Sequence, residues 1–360
     1  MSTIRIASFF AVLALVAAAC GSADSPPTTE EPPITIPPGT EPFVAGELVS
    51  LDLPRDTTEV GEADLRSVVA GDIALGLALF EVIAAEENVM ISPYSIATAL
   101  SMLYPGARGS TADEIAQVLG LEVDEATLGA VRASIDAALA AARPLGPDDD
   151  REPFTIRPAN SAWGQGGFPF SEDYLEVLAR AYGAGLRVAD FAGDPEGSTE
   201  LINSWVEEAT EDRIEDLIPP GTINALTRLV LVNAIWFKAN WANKFDPAQT
   251  APGVFTLLDG SEITVPLMHG SSTGAYAETA KFTAVRLAYA GDAAMVVLLP
   301  PTGTSPAELA ASLTPDDLDI NFGSYQLDLT LPTFEFESDV PLKQALQSIG
   351  MVEAFTGDAD

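Results

Sequence analysis

The chain contains 360 residues, of which 47% are hydrophobic and 19% are charged, a composition that favours a folded globular protein over general disorder. Its 17 Lys and Arg residues against 53 Asp and Glu residues give a net charge of -36 at pH 7. So acidic a protein is repelled by phosphate backbones, and no basic stretch with interleaved aromatic residues offsets that charge. Nucleic acid is therefore excluded as a partner.

The first twenty residues, MSTIRIASFFAVLALVAAAC, predict a signal peptide over residues 1–20. An arginine precedes an apolar run over residues 6–19, which is too short to span a bilayer. The run ends at Cys20, the only cysteine, in a context that resembles the bacterial lipobox, where the cysteine is acylated and becomes the mature N-terminus. We expect an extracytoplasmic protein, either lipid-anchored at Cys20 on the outer face of the membrane or secreted. The alternative is an ordinary signal peptide that contains a cysteine.

Residues 21–62 are rich in proline pairs, threonine and acidic residues, and Arg55 is their only base. This composition is typical of an extended, self-repelling tether without apolar periodicity. The sequence therefore predicts a disordered linker over residues 21–62 and a folded domain over residues 63–360.

Apolar residues at helical spacing predict a first helix over residues 65–84. Ser92 followed by Pro93 predicts the N-cap and first position of a second helix. Thr111 and Glu114 have the spacing of a capping box, which predicts the start of a third helix. Further helices are predicted near residues 124–142, after Ser171, and from Asp194.

Strands dominate the second half of the chain. The segment RLVLVNAIWF, residues 228–237, is almost continuously apolar, which indicates a central strand covered on both faces. Other strands are predicted around residues 154–163, 253–257, 262–268, 282–289, 294–299 and 326–337. Because helices come first and strands later, the pattern predicts the α+β class.

Two polar residues lie where the pattern predicts burial. Ser95 is in the first turn of the second helix, among apolar neighbours, and Asn233 interrupts the central strand. Buried hydroxyl and amide groups need hydrogen-bond partners. We therefore expect Ser95 and Asn233 to be buried and to share one hydrogen-bonded network.

The sequence does not indicate an enzyme. His269 is the only histidine, and no nucleophile motif accompanies it. No His/Cys cluster has metal-ligand spacing, and no glycine-rich nucleotide-binding pattern is present, so neither a metal nor another cofactor is expected. Paired acids for glycoside hydrolysis stay open, because any two of the 53 acidic residues can meet in space.

Several long blocks resemble the serpin family in the right order over residues 65–360. They are NVMISPYSIATALSMLYPGARGSTADEI, INSWVEEATEDRIEDLIPPGTINALTRLVLVNAIWFKANWANKFDPAQT, VPLMHG, AMVVLLP and LPTFEFESDVPLKQALQSIGMVEAF. The resemblance implies an α+β serpin fold of three β-sheets and eight or nine helices. In the family, further central strands, a shutter histidine, the hinge and the reactive-centre loop follow the position of Asp360. We therefore expect the serpin domain over residues 63–360 to be incomplete at its C-terminus and residues 1–360 alone to be non-inhibitory and unstable.

The resemblance also implies roles for four residues. Ser92, Ser95 and Asn233 match the shutter, where the central sheet opens, and Trp241 matches the breach, where strand insertion begins. No catalytic residue is implied, and no part of the reactive-centre loop lies within this chain.

The implied function is inhibition of a serine protease, or of a cysteine protease, by a full-length monomer whose cleaved loop inserts into the central sheet. The alternatives are a non-inhibitory serpin-like binding protein and a lipid-anchored solute-binding protein. The latter would need two lobes with parallel sheets, which the late run of strands does not supply.

Cys20 provides a direct test of the anchor. Replacing Cys20 with Ser removes the acylated sulfur, so the variant should be released into the medium or keep its signal peptide, whereas the wild type should partition into detergent. The measurement is phase partitioning of both proteins. A wild type found in the aqueous phase contradicts lipidation.

Overall fold

The computed structural model describes residues 13–17, 45–49, 53–83, 88–141, 155–291, 293–336, 338, 340 and 342–356. Within these ranges the α-helices are α1 (Glu62–Ile83), α2 (Pro93–Leu103), α3 (Gly109–Val118), α4 (Glu125–Ala140), α5 (Glu172–Tyr182), α6 (Pro195–Ala209), α7 (Pro306–Ser312) and α8 (Leu342–Ser348). The strands are β1 (Leu13–Ala17), β2 (Leu48–Val49), β3 (Thr155–Gln165), β4 (Leu186–Ala189), β5 (Leu229–Lys238), β6 (Ala251–Thr256), β7 (Glu262–Glu278), β8 (Thr283–Ala288), β9 (Ala294–Leu299) and β10 (Gly323–Pro332). Helices lead and strands follow, so the α+β class is confirmed.

The central sheet has the strand order β1-β5-β3-β4-β2. Strands β3 and β4 run parallel, whereas the other neighbours in this sheet are antiparallel. Along β5, Leu229 and Leu231 face a core that includes residues of α2, α3 and α5, while Val230 and Val232 face a second core with α6. Both faces of β5 are therefore covered, as its continuous apolar run predicts.

The second sheet has the order β10-β7-β8-β9, and β6 also pairs with β7. Strand β7 has 17 residues, long enough to pair with β6, β10 and β8 along its length. The resemblance implies three sheets, but the described strands form two, because β7 joins its three partners into one sheet. None of the helices in the described ranges combines the length and the apolar character needed to cross a membrane.

Part of the predicted linker over residues 21–62 is ordered, which corrects the expected start of the domain at residue 63. Strand β2 pairs with the edge of β4, and the backbone N–H of Gly46 donates to Val188 O at 2.9 Å. Arg55 forms an ion pair with Asp136 at 3.0 Å. The linker prediction fails here because edge-strand pairing and one partly buried ion pair need no apolar periodicity.

Residues 13–17 lie within the predicted signal peptide, and the structure describes them as strand β1, antiparallel to β5. The rest of residues 1–20, with Cys20, and residues 21–44 lie outside the described residues. Lipidation at Cys20 therefore stays a prediction.

The capping box predicted at Thr111 and Glu114 is wrong. Helix α3 begins two residues earlier, at Gly109, and Thr111 is buried inside it. Glu114 instead caps a distant turn, since its Oε2 accepts the backbone N–H groups of Val352 and Glu353 at 2.7 and 2.8 Å. These donors open the short 3-10 helix Glu353–Phe355, so Glu114 ties the end of the described chain to α3.

Replacing Glu114 with Ala should leave both N–H groups without their charged acceptor and lower the free energy of unfolding by about 1–2 kcal/mol. Asp113, the exposed acid beside it on α3, supplies the control, and Asp113→Ala should change stability by less than about 0.5 kcal/mol. Urea unfolding of the full-length protein measures both. Equal effects of the two substitutions would show that Glu114 contributes nothing through its cap.

Candidate functional site

Ser92 and Ser95 satisfy each other at the start of α2. Ser92 is the N-cap, with an extended backbone before Pro93. Its Oγ accepts the backbone N–H of Ser95 at 3.2 Å and donates to Ser95 Oγ at 3.0 Å. Ser95 is fully buried, as expected, but its partner is local rather than remote. The N-cap at Ser92 is confirmed.

Asn233 is fully buried in the middle of β5 and bonds to the neighbouring strand. Its Nδ2 donates to Oδ1 of Asn160 on β3 at 2.6 Å, and the two residues are direct register partners. Asn233 Oδ1 has no hydrogen-bond partner within the described part of the chain. The prediction that Ser95 and Asn233 share one network is therefore wrong, because an asparagine on the adjacent strand is closer than the helix.

The Asn160–Asn233 pair continues into a larger polar network centred on Asp136 of α4. Asn160 Nδ2 lies 3.4 Å from Asp136 Oδ2, and Arg55 Nη2 donates to the same oxygen at 3.0 Å. The Tyr94 hydroxyl, on α2, donates to Asp136 Oδ1. Burial, reinforced by the Asp136 carboxylate, raises the pKa of Tyr94 well above its ordinary value, so Tyr94 stays a donor. We call Arg55, Tyr94, Asp136, Asn160 and Asn233 the Asp136 network.

Arg132, a buried residue of α4, links this helix to α1 and α2. Arg132 donates from Nη1 and Nη2 to the two oxygens of Asp72 at 2.6 and 2.7 Å, and from Nε to Ser101 Oγ at 3.2 Å. Burial raises the pKa of the Asp72 carboxyl, and the bonds from Arg132 oppose that effect. A bidentate pair of this kind fixes the orientation of the two side chains, Arg132 on α4 and Asp72 on α1. Removing either partner would leave an uncompensated buried charge.

Trp241 follows β5 and packs in an aromatic group. Its ring stacks on Tyr289 with centroids 4.6 Å apart and meets Phe245 edge-on at 6.1 Å. Burial raises the pKa of Tyr289 to about 12. A small cavity of about 20 Å³ lies beside Trp241, lined also by Met268, Met295, Leu331, Pro332, Thr333 and Phe334.

The outer edge of β5 carries β1. Leu13 is the register partner of Asn233, and the pairing continues to Ala17 opposite Leu229. Helix α2 contacts both β1 and β5. The edge of the central sheet next to Asn233 thus receives an apolar strand in antiparallel orientation.

Among the described residues, no group of three or more His, Cys, Asp or Glu side chains is arranged to hold a metal ion. His269 lies on β7, where its Nδ1 is 3.0 Å from Thr330 Oγ1 on β10. His269 therefore pairs its side chain with Thr330 across the β7–β10 strand pair.

The serpin (serine protease inhibitor) family model matches residues 71–360. This chain belongs to the serpin family. It is 35% identical over 280 residues to Ipis-1 of Ixodes persulcatus, covering 76% of this chain and 72% of that protein. It is 33% identical over 291 residues to human Serpin B4, covering 76% and 74%.

Solved serpin structures agree with the fold. The structure of cleaved Serpin 42Da matches with a TM-score of 0.73 and 28% identity, covering 82% of this chain and 80% of that one. Ovalbumin from emu (Dromaius novaehollandiae) matches with a TM-score of 0.71 and 26% identity, covering 81% and 80%. The serpin α+β fold is thereby confirmed, and the alternative of a two-lobed solute-binding protein is excluded.

The family match leaves the individual roles of Ser92, Ser95, Asn233 and Trp241 in the shutter and breach as predictions. What the structure adds to these serpin positions is the Asp136 network. Of its members, sequence reasoning selected Asn233 alone. The sequence signal that could have indicated Asn160 is its position as a polar residue in the middle of β3, the strand that pairs with the apolar strand β5.

The Asn160–Asn233 bond can be tested by a double-mutant cycle. Asn160→Ala removes the acceptor of a buried amide, so it should lower the free energy of unfolding by about 1–3 kcal/mol. With Asn233→Ala, its effect should be non-additive by more than about 0.5 kcal/mol. The measurement is urea unfolding of the full-length protein.

Ser95→Ala combined with Asn233→Ala is the matched control, and this pair should be additive because their bonds go to different partners. Coupling of Ser95 but not Asn160 to Asn233 would contradict this assignment.

Proposed function

We propose that the full-length protein inhibits a serine protease, or a cysteine protease, by inserting its cleaved reactive-centre loop into the central sheet. The protease nucleophile attacks a loop carbonyl, the amine half of the peptide bond leaves, and an acyl-enzyme forms. The loop then adds as a strand to the sheet and carries the bound protease with it. This chain contributes no catalytic group, because it acts as the acylating substrate and as the sheet that captures the strand.

One observation supports the proposal: the outer edge of β5 pairs with a further strand, β1. β1 pairs with that edge antiparallel over Leu13–Ala17. All of those side chains are apolar, and β5 is buried from Leu229 to Trp236. A strand added here gains main-chain hydrogen bonds, and its apolar surface is removed from water at the same time. Both gains favour insertion of any extended apolar segment that reaches the edge.

The proposal extends to the location of the protein. An anchor at Cys20 would hold the domain at the outer membrane face, and the first paired strand of the domain after Cys20, β2, begins at Leu48. Processing before Cys20 removes residues 13–17 and leaves the β5 edge open to another strand. Anchoring and an open edge are thus compatible in one processed protein.

The test is incubation of the full-length protein with trypsin-like and chymotrypsin-like serine proteases and with a papain-like cysteine protease. We expect a 1:1 complex with at least one of them that survives a denaturing gel, because the acyl bond is covalent.

The control fills the edge first. Preincubation with an acetylated peptide of alternating apolar residues should abolish the complex and leave a cleaved protein, since the loop then has no place to insert. Cleavage without any complex in untreated protein would contradict inhibition and favour a non-inhibitory binding protein.

A further inference from the structure

Residues 53–60, here called the brace, run from the ordered N-terminal segment to the start of α1 and bind the C-terminal end of α5. The backbone N–H of Asp56 donates to Arg180 O at 2.9 Å, and Arg55 Nη2 donates to Ala181 O at 3.1 Å. The Asp56 carboxylate accepts both the N–H and the hydroxyl of Thr58, at 2.8 and 2.6 Å, which fixes the turn of the brace. The side-chain bond from Thr58 is also the main reason that the pKa of Asp56 is lowered.

Gly183 makes room for the arginine. It ends α5 in the left-handed conformation, with φ of +59°, which favours glycine. A Cβ at this position would lie 2.1 Å from Arg55 Nη1. The end of α5 is therefore shaped to admit the Arg55 guanidinium beside Asp136.

Arg55 supplies the only cationic member of the Asp136 network. The Arg55 side chain is 38% exposed and the Asp136 side chain only 12%, so the carboxylate is shielded from water. Without the guanidinium, the largely buried carboxylate would keep only the neutral donors Tyr94 and Asn160 among its described hydrogen-bond partners. The carboxylate would then turn toward solvent and give up its contact with Asn160.

Asp136 lies two hydrogen bonds from Asn233, which is at the strand-accepting edge. Asn160 holds the Asn233 amide at 2.6 Å, and Leu13 of the added strand β1 is the register partner of Asn233. A strand that enters at this edge must pass Asn233, so its ease of entry depends on how firmly Asn233 is held toward β3.

We propose that Arg55 is a positioning residue that restrains the outer edge of β5 through Asp136, Asn160 and Asn233, and so sets how readily the central sheet accepts a strand. The inference rests on the proposed strand-insertion function and assigns to the brace the restraint of that step. Loss of Arg55 loosens the edge and accelerates insertion.

The experiment compares Arg55→Met, Arg55→Lys and Lys281→Met in the full-length protein. Lys281 is a matched control, because its ion pair with Asp317 also has a cation with 38% side-chain exposure but lies outside the central sheet, in the turn between β7 and β8. Native-state hydrogen exchange of the β5 amides and the rate of uptake of an acetylated apolar peptide are measured. For Arg55→Met both rates should rise about three- to tenfold. Arg55→Lys keeps the positive charge, so both rates should stay close to those of the wild type. Lys281→Met should change neither rate.

Equal exchange rates in β5 for Arg55→Met and Lys281→Met would overturn the proposal, because both substitutions would then act only on general stability. If Arg55→Met does not fold, Asp136→Asn, which keeps the side-chain shape and removes the charge, carries the same expectation. Wild-type protein that takes up no peptide would contradict the proposed function, while the exchange of β5 would still decide whether Arg55 restrains that strand.

Discussion

The hydrogen bond between Asn160 and Asn233 is the constraint on which the rest of the central sheet depends. It links β3 to β5. Asn233 lies in the stretch of β5 that is buried on both faces, where an amide without a hydrogen-bond partner is costly. A slip of one residue between β3 and β5 would separate the two amides and turn every side chain of β5 to the opposite core. The pair therefore fixes the register that sends Leu231 toward α2 and Val232 toward α6.

Basic residues are few in this protein, and several arginines link different elements of the fold. The sequence has 17 Lys and Arg residues in a protein of net charge -36, and in the described part of the chain at least three of the arginines join different elements. Arg132 pairs with Asp72, Arg55 pairs with Asp136, and the Arg187 guanidinium lies 5.6 and 5.7 Å from the ring centroids of two tryptophans. These cations join different elements of the fold.

Local patterns predicted what depends on neighbours in sequence. Helix periodicity, the start of α2 at Ser92 and the double-sided burial of β5 need only a few consecutive residues. Contacts between distant residues were not predictable in this way. Glu114 caps N–H groups 238 and 239 residues away, and Arg55 lies in a proline-rich acidic stretch typical of disorder. Such partners are fixed by the packed fold, which periodicity does not encode.

The unpaired oxygen of Asn233 leaves an unmet hydrogen bond beside the edge where strand insertion is proposed. Asn233 Oδ1 is buried without a partner in the described part of the protein, and such a group costs about 1–3 kcal/mol relative to a bonded one. Strand β1 already pairs with this edge of β5, opposite Asn233, and does not give that oxygen a donor. An inserted strand that brings a side-chain donor to this oxygen would recover that free energy, in addition to its own main-chain bonds. The same asparagine thus fixes the register of β3 and β5 and, in the proposed mechanism, favours an inserted strand that brings it a donor.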